Sequence, residues 1–316
     1  MTQNLVSLIG IIQGKLLMKA LWLLLLVLLA GGLTICQAGQ MYKYKDANGN
    51  WVFSDKPPEK EQDFSTLQYR SPKKPTSKIK FYTVNTKEGY ILYAKNAFYS
   101  PVEVGFTSPF NQEFISKVIP ARNSTVLLTS KTQAPKLKYR WALGDPNSVT
   151  DDYRYHAPFG SPKGHRITQG FNGKFSHTKE YNKYAVDIAM DVGTYLTAVR
   201  AGTVIWVKDD YHMSGTTRYF LDKANVIKVL HDDGTFSSYA HILMDTAMVK
   251  EGDKVAVGDK LARSGSSGFS TGPHLHFSII KNAGLKNIAI PFKFIDNQGM
   301  AFTPKRAMIM VGSSKP

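Results

Sequence analysis

From Ile79 onward the chain alternates apolar and polar residues with a period of two, and nowhere does it hold a helical period for long. Period two is the repeat of a strand, whose successive side chains point to opposite faces. Val102, Val104 and Phe106 alternate with Glu103, Gly105 and Thr107, and Leu137, Tyr139 and Trp141 with Lys136, Lys138 and Arg140. Gly, Pro and Asn separate the runs, so residues 79–154 are expected to form a small β-sandwich. Further strands are expected at Tyr195–Arg200, Thr203–Val207, Asn225–His231, Thr235–His241, Lys254–Val257 and His274–Ile280. Gly252-Asp253-Lys254-Val255 is echoed by Gly258-Asp259-Lys260-Leu261, as two turns of a barrel-like sandwich would be. The chain is therefore read as mainly β.

The 316 residues suffice for two domains with cores of their own, plus appendages. The first 40 contain no Asp or Glu and two lysines, Lys15 and Lys19, and Ala20–Cys36 is an apolar run dominated by leucine. A basic start, an apolar core and small residues after it make residues 1–38 an expected signal peptide, cut after Ala38. An uncleaved anchor competes, although Ala20–Cys36 is short for a membrane span. Leu33-Thr34-Ile35-Cys36 also resembles a lipoprotein box, but Ile35 is too bulky for the position before the cysteine. Cleavage removes two of the +16 formal charges, leaving +14, and takes away Cys36, the only cysteine. That excludes disulfides, thiolate zinc ligands and a cysteine nucleophile from the mature chain. The positive charge favours an anionic envelope polymer as partner. No nucleic-acid-binding module is recognisable, and membrane contact is expected only through an uncleaved leader. The oligomeric state is not legible.

Residues 41–58 carry two short β-type runs around Asp46-Ala47-Asn48-Gly49, a strong hairpin signal. With its Ser54-Asp55-Lys56-Pro57-Pro58 end, the segment 41–58 resembles a small module of unknown function at the mature N-terminus of many proteobacterial envelope proteins, and residues 39–70 are expected to form that module. Residues 71–78, Ser-Pro-Lys-Lys-Pro-Thr-Ser-Lys, read as a linker.

Chemistry concentrates at Pro273-His274-Leu275-His276-Phe277. An H-x-H pair on a strand puts both imidazoles on one face. Converging with His177 and Asp187, they make a zinc site and point to metal-assisted hydrolysis. Asp187 is preferred to Asp191 because it lies inside an apolar strand, where a carboxylate needs a partner; Asp191 falls in the turn before Gly193-Thr194. His241 follows Tyr239 by two, so both are expected to point the same way. His156, His165, His212 and His231 lack this context and read as structural. Asn225 reads either as a turn cap or as a residue that orients a loop or touches substrate.

Taken in order, several blocks make residues 155–296 resemble the lysostaphin-type (LytM-like) zinc peptidases, which cleave peptides of bacterial peptidoglycan. They are Gln169-Gly170-Phe171, Ser176-His177, Tyr184-Ala185-Val186-Asp187, Ala201-Gly202-Thr203-Val204, Tyr239-Ala240-His241 and Gly272-Pro273-His274-Leu275-His276. The resemblance implies an antiparallel β-sheet of the barrel-sandwich-hybrid type, with residues 297–316 as a C-terminal tail. It makes His177, Asp187 and His276 the ligands of one zinc ion per chain, and His241 and His274 the catalytic histidines. Two neutral imidazoles and one carboxylate leave zinc a positive charge and an open position for water.

Two departures stand out. Many relatives carry H-x-x-x-D, but the position four before Asp187 is Lys183, which cannot ligate while protonated. This chain instead follows a subset with Ser-His, an insert and Tyr-Ala-x-Asp, so Thr178–Lys183 is expected to bulge as a loop between two ligand-bearing strands. Gly265-Ser266-Ser267-Gly268 replaces a Thr-Gly pair, with little effect expected on ligation. The implied function is an exported endopeptidase of a Gram-negative periplasm or envelope, acting on peptidoglycan peptide. The alternative is a non-catalytic LytM-like regulator that activates cell-wall amidases; such domains lack zinc ligands, and the set is intact here.

Overall fold

In this computed structural model the described residues are 39–45, 51–54, 57–58, 62–69, 78–133 and 136–312. The expected leader, the Asp46–Gly49 turn and the linker up to Ser77 lie outside them, as do residues 313–316 of the expected tail. Gly39, Gln40, Gln68 and Tyr69 group with a separate unit; the remaining described residues form the main one. Their regular structure is nearly all strand, and no helix among them is long and apolar enough to cross a membrane.

β1 (Gly39–Lys45) pairs antiparallel with β2 (Trp51–Ser54), Tyr42 opposite Ser54 and Lys45 opposite Trp51, in a small sheet that β3 (Ser65–Tyr69) completes. The next six strands form two three-stranded sheets. β4 (Ile79–Thr86), β5 (Gly89–Asn96) and β8 (Ser124–Ser130) make one, in the order β4-β5-β8. β6 (Val102–Thr107), β7 (Phe114–Ile119) and β9 (Tyr139–Leu143) make the other, with β6 central. Ile79, Leu92, Ala94, Phe98, Val104, Phe106, Ile119 and Leu127 fill one core between them, each buried side chain larger than Ala94 contributing about 1.5–3 kcal/mol.

The alternation expected of the central strand is not what the structure contains. Val102 through Phe106 are all buried. Glu103 accepts hydrogen bonds from Ser116 Oγ (2.6 Å), Asn282 Nδ2 (2.9 Å) and the Leu285 amide (2.6 Å). A Cβ on Gly105 would meet the side chains of Leu285 and Phe114. Residues far along the chain cover this strand's second face, which a local period cannot reveal. Trp141, expected inside with Tyr139, is 39% exposed although its ring lies 5.3 Å from Phe98.

The later strands are β10 (Arg154–Tyr155), β11 (His165–Gln169), β12 (Val186–Ala189), β13 (Tyr195–Thr197), β14 (Gly202–Lys208) and β15 (Ser214–Gly215). β16 (Val226–Leu230), β17 (Phe236–Ala240), β18 (Lys254–Val255), β19 (Lys260–Arg263) and β20 (Gly268–Phe269) follow. Last come β21 (His274–Asn282), β22 (Asn287–Ile290), β23 (Lys293–Ile295), β24 (Ala301–Phe302) and β25 (Ile309–Met310). Nine of them make one sheet in the order β18-β14-β16-β17-β21-β12-β11-β25, with β22 also on β21. Its pairings are antiparallel, as the resemblance implied. The Gly-Asp echo is two copies of one turn. Asp253 accepts from the Lys250 amide at 2.9 Å, and Asp259 from the Ala256 amide at 2.8 Å.

One sheet face carries Val186, Ile188, Val204, Ile227, Tyr239, Leu275 and Phe277 into a second apolar core. On β12 and β21 the alternate residues Asp187, Ala189, His274 and His276 face the other way, with Asp187 opposite His276 and Ala189 opposite His274. Close packing beneath them fixes where those polar side chains stand.

Candidate metal centre and active-site groove

The polar face of β12 and β21 forms the floor of a groove of about 680 Å³. One donor atom each from His177, Asp187 and His276 lies within 4.8 Å of the others. Asp187 Oδ1 is 2.8 Å from His276 Nδ1 and 3.2 Å from His177 Nε2. Tetrahedral zinc with bonds near 2.1 Å needs its ligand atoms roughly 3.4 Å apart. The spacing therefore suits a metal, and two imidazoles with one carboxylate are the right donors.

The surroundings orient these donors. His177 Nδ1–H donates to the Gly170 carbonyl (3.0 Å), which leaves Nε2 as the free lone pair. Gln169 Nε2 donates to Asp187 Oδ2 at 2.8 Å and to Ser176 Oγ at 2.7 Å. Burial raises the Asp187 pKa, but the polar contacts with the His177 and His276 rings outweigh it, holding the carboxyl well below its usual range.

His177 sits in a run of turns between β11 and β12, so only Asp187 and His276 stand on strands. The expectation of two ligand-bearing strands flanking the insert is corrected accordingly. The insert is firmly held. Asn182 Nδ2 donates to the Ser176 carbonyl (2.7 Å), the Ala289 amide donates to the Glu180 carbonyl (2.9 Å), and Lys286 pairs with Glu180. Lys183 is exposed, its ammonium 5.5 Å from the Tyr184 ring centre.

His241 and His274 stand beside the triad, their rings 4.5 Å apart, and His274 Nε2 is 3.8 Å from Asp187 Oδ1. Each donates from Nδ1 to a backbone carbonyl, His241 to Ser267 (2.7 Å) and His274 to Gly272 (2.8 Å). Both Nε2 atoms are thus free acceptors. Burial pushes the His241 pKa down to about 3 and lowers that of His274, favouring neutral rings.

Tyr239 and His241 do not share a face. Tyr239 pairs with Phe277 in the core, and its hydroxyl oxygen accepts from the Val199 amide at 3.0 Å. β17 ends at Ala240, and His241 has a φ of +66°, a left-handed conformation that turns its ring into the groove. The Ser267 carbonyl that holds it belongs to the Gly265–Gly268 turn, so that departure touches the site after all. Gly268 has φ +81°, and a Cβ there would collide with Ala224.

Asn225 is buried and orients loops. Its side chain accepts from the Tyr211 amide (3.0 Å) and donates to the Tyr211 and Ile242 carbonyls, while its own carbonyl accepts from the His241 amide (3.0 Å). Gln169 was quoted in a sequence block but given no role; only its spacing to Ser176-His177 could have flagged it. Asp191 is exposed and paired with Lys163. Of the other histidines, His165 and His231 are buried away from the groove, and His156 and His212 do not line it. Phe175 (70% exposed), Tyr181 (59%) and Leu221 (61%) rim the groove.

A sheet-floored groove holding three metal-type donors and two free imidazole acceptors has the equipment of a metallohydrolase. Residues 181–288 match the model of peptidase family M23, and the chain carries a domain of that family, of the LytM type. Residues 24–78 match a domain of unknown function, DUF4124. The chain is 34% identical over 119 residues to the glycyl-glycine endopeptidase ALE-1 of Staphylococcus capitis, a match covering 37% of this chain and 30% of that protein. It is 26% identical over 168 residues to the peptidoglycan DD-endopeptidase ShyB of Vibrio cholerae, covering 48% and 37% respectively. The chain thus spans well under half the length of these relatives. Against the solved catalytic domain of lysostaphin from Staphylococcus simulans, the match has 26% identity, a TM-score of 0.28, and coverage of 45% of this chain and 88% of that one.

Proposed function

We propose that the chain is an exported zinc metalloendopeptidase that hydrolyses peptide bonds in peptidoglycan cross-links or stem peptides. The observation that carries this reading is the convergence of His177, Asp187 and His276 on the groove floor, beside two histidines whose Nε2 atoms are free. Relatives named as peptidoglycan and glycyl-glycine endopeptidases support the substrate class. Residues 155–296 are the proposed peptidase domain, 79–154 a separate sandwich and 39–70 an envelope module, in a protein of the Gram-negative periplasm.

His177, Asp187 and His276 hold one zinc ion. Zinc supplies Lewis acidity, which acidifies a water and polarises the scissile carbonyl. His241 and His274 do the proton work: a neutral Nε2 accepts the proton of the attacking water and returns it to the leaving amine. Their Nδ1 bonds to Ser267 and Gly272 keep that nitrogen aimed and unprotonated. Gln169 fixes Asp187, and Phe175, Tyr181 and Leu221 give the substrate peptide apolar walls.

The test is digestion of purified peptidoglycan sacculi, with released muropeptides read by mass spectrometry with and without a zinc chelator. Loss of cross-linked dimers that the chelator abolishes is the expected result. No cleavage by protein that activates an added amidase would replace the enzyme with the regulator.

A further inference from the structure

We propose that the outward face of the β4-β5-β8 sheet docks the glycan strand of peptidoglycan, a polysaccharide carrying carboxylate-bearing peptides. The inference rests on the peptidoglycan substrate proposed above, but concerns a surface built from other residues.

The register defines the face. Directly paired residues share a side of a sheet. Lys80 stands opposite Lys95, Tyr82 opposite Tyr93, and Val84 opposite Ile91. On the third strand Ser124, Val126 and Thr129 stand opposite Lys95, Tyr93 and Ile91. The other side of the same strands carries Ile79, Leu92, Ala94 and Leu127 into the core. The outward residues stay open: Tyr82 is 41% exposed, Val84 40% and Val126 37%, with Lys80 and Lys95 also exposed. A centre of two tyrosines and three aliphatic residues is a costly surface to leave in water without a partner.

Two features say what kind of partner. The Tyr82 and Tyr93 rings are parallel within 6°, with centres 5.1 Å apart, a fixed stack rather than two free side chains. Aromatic faces carry negative charge density, which attracts polarised C–H bonds such as those on the flat sides of a pyranose ring. The rim is cationic. Lys80 and Lys95, opposite each other, stand at one end of the stack, and Lys117 reaches in to donate to the Val126 carbonyl at 3.0 Å. The three strands and the β4–β5 turn contain one acidic residue, Glu88, which lies in that turn. The face therefore complements a polymer that offers sugar rings with carboxylates beside them. A lipid surface fits less well. Penetration to 5–10 Å needs protruding apolar side chains, whereas Val84, Ile91 and Val126 are short side chains on the sheet face. A second attachment point on the same polymer raises the effective concentration of substrate at the groove.

The test is co-sedimentation of the full chain with purified sacculi in the presence of chelator, so that hydrolysis plays no part. Variants are Tyr82→Ala with Tyr93→Ala, and Lys80→Glu with Lys95→Glu; circular dichroism and melting check that each folds. The expected result is a bound fraction at least fivefold lower for either folded variant than for the unmodified chain. The lysine variant should also have lost much of its salt dependence. Equal binding by both folded variants overturns the proposal. So does face-dependent binding to anionic phospholipid vesicles without binding to sacculi, or a face-dependent dimer that sediments with sacculi no better than a monomer. Because binding is read without turnover, a chain that docks through this face but cuts nothing removes the peptidase reading and leaves this one standing.

Discussion

Asp187 carries more of the proposed chemistry than any other side chain. It is buried, yet it accepts from Gln169 and lies 2.8 Å from His276 Nδ1 and 3.2 Å from His177 Nε2. A buried carboxylate without such partners would be expelled or protonated. Replacing His276 with Ala should abolish metal retention and lower kcat/KM about a thousandfold or more. Zinc retained at full stoichiometry in that variant would remove His276 from the ligand set. Gln169→Leu removes a bond to a ligand without removing the ligand, so zinc affinity should fall about 10- to 100-fold in a competition titration. Lys183→Ala should leave zinc content unchanged, because that side chain is exposed and rests on Tyr184. That His274 and His276 share one strand face was legible from the H-x-H spacing. The way His241 reaches the groove was not: it depends on a single positive φ at a strand end, and period-two reasoning put the ring on the wrong side.

Among the elements, the strands were the easiest to read. β14, β16, β17 and β21 fall within a residue or two of their expected bounds, because their core-facing apolar residues recur with the strand period. β6 was misread because its second face is covered by Leu285 and Asn282, more than 170 residues away in sequence. The insert Thr178–Lys183 reads as an excursion but is a tethered wall, bonded to Ser176 and to Ala289. Tyr181→Ala should therefore act on substrate binding: KM for a soluble cross-linked muropeptide should rise about fivefold, equivalent to ~1 kcal/mol, with kcat little changed. A fall in kcat with KM unaltered would mean that the wall acts in the chemical step instead.

For the whole molecule, buried histidines tie stability to pH. His231 donates from Nδ1 to the Ala201 carbonyl (2.9 Å) and accepts from Ser237 at Nε2 (3.1 Å), an arrangement that needs the neutral ring. Burial pushes its pKa down to about 4, against an ordinary value of 6.5. Between those values the unfolded chain binds the additional proton, so stability falls as pH drops from 6.5 towards 4 and levels off below that. The contribution lost is about 3 kcal/mol. In His231→Gln, denaturant-derived stability against pH should lose about one proton's worth of slope in that window, about 1.4 kcal/mol per pH unit. An unchanged slope would place the titration on other groups. The mainly β character was readable from periodicity, with the expected boundary between sandwich and peptidase domain after residue 154. The pairing of distant strands and the sharing of one core across that boundary were not, because Ile205, Phe236 and Ile280 of the large sheet pack with the sandwich strands.

The central claim is a zinc ion held by His177, Asp187 and His276 and used to cut peptidoglycan peptides. Its most direct test measures zinc stoichiometry and muropeptide hydrolysis on the same preparation, before and after chelation and after zinc is restored. One zinc per chain, with cleavage lost on its removal and regained on its return, is the predicted result. Cleavage undiminished in metal-free protein, or a fully zinc-loaded chain that cuts no peptidoglycan peptide, would contradict it.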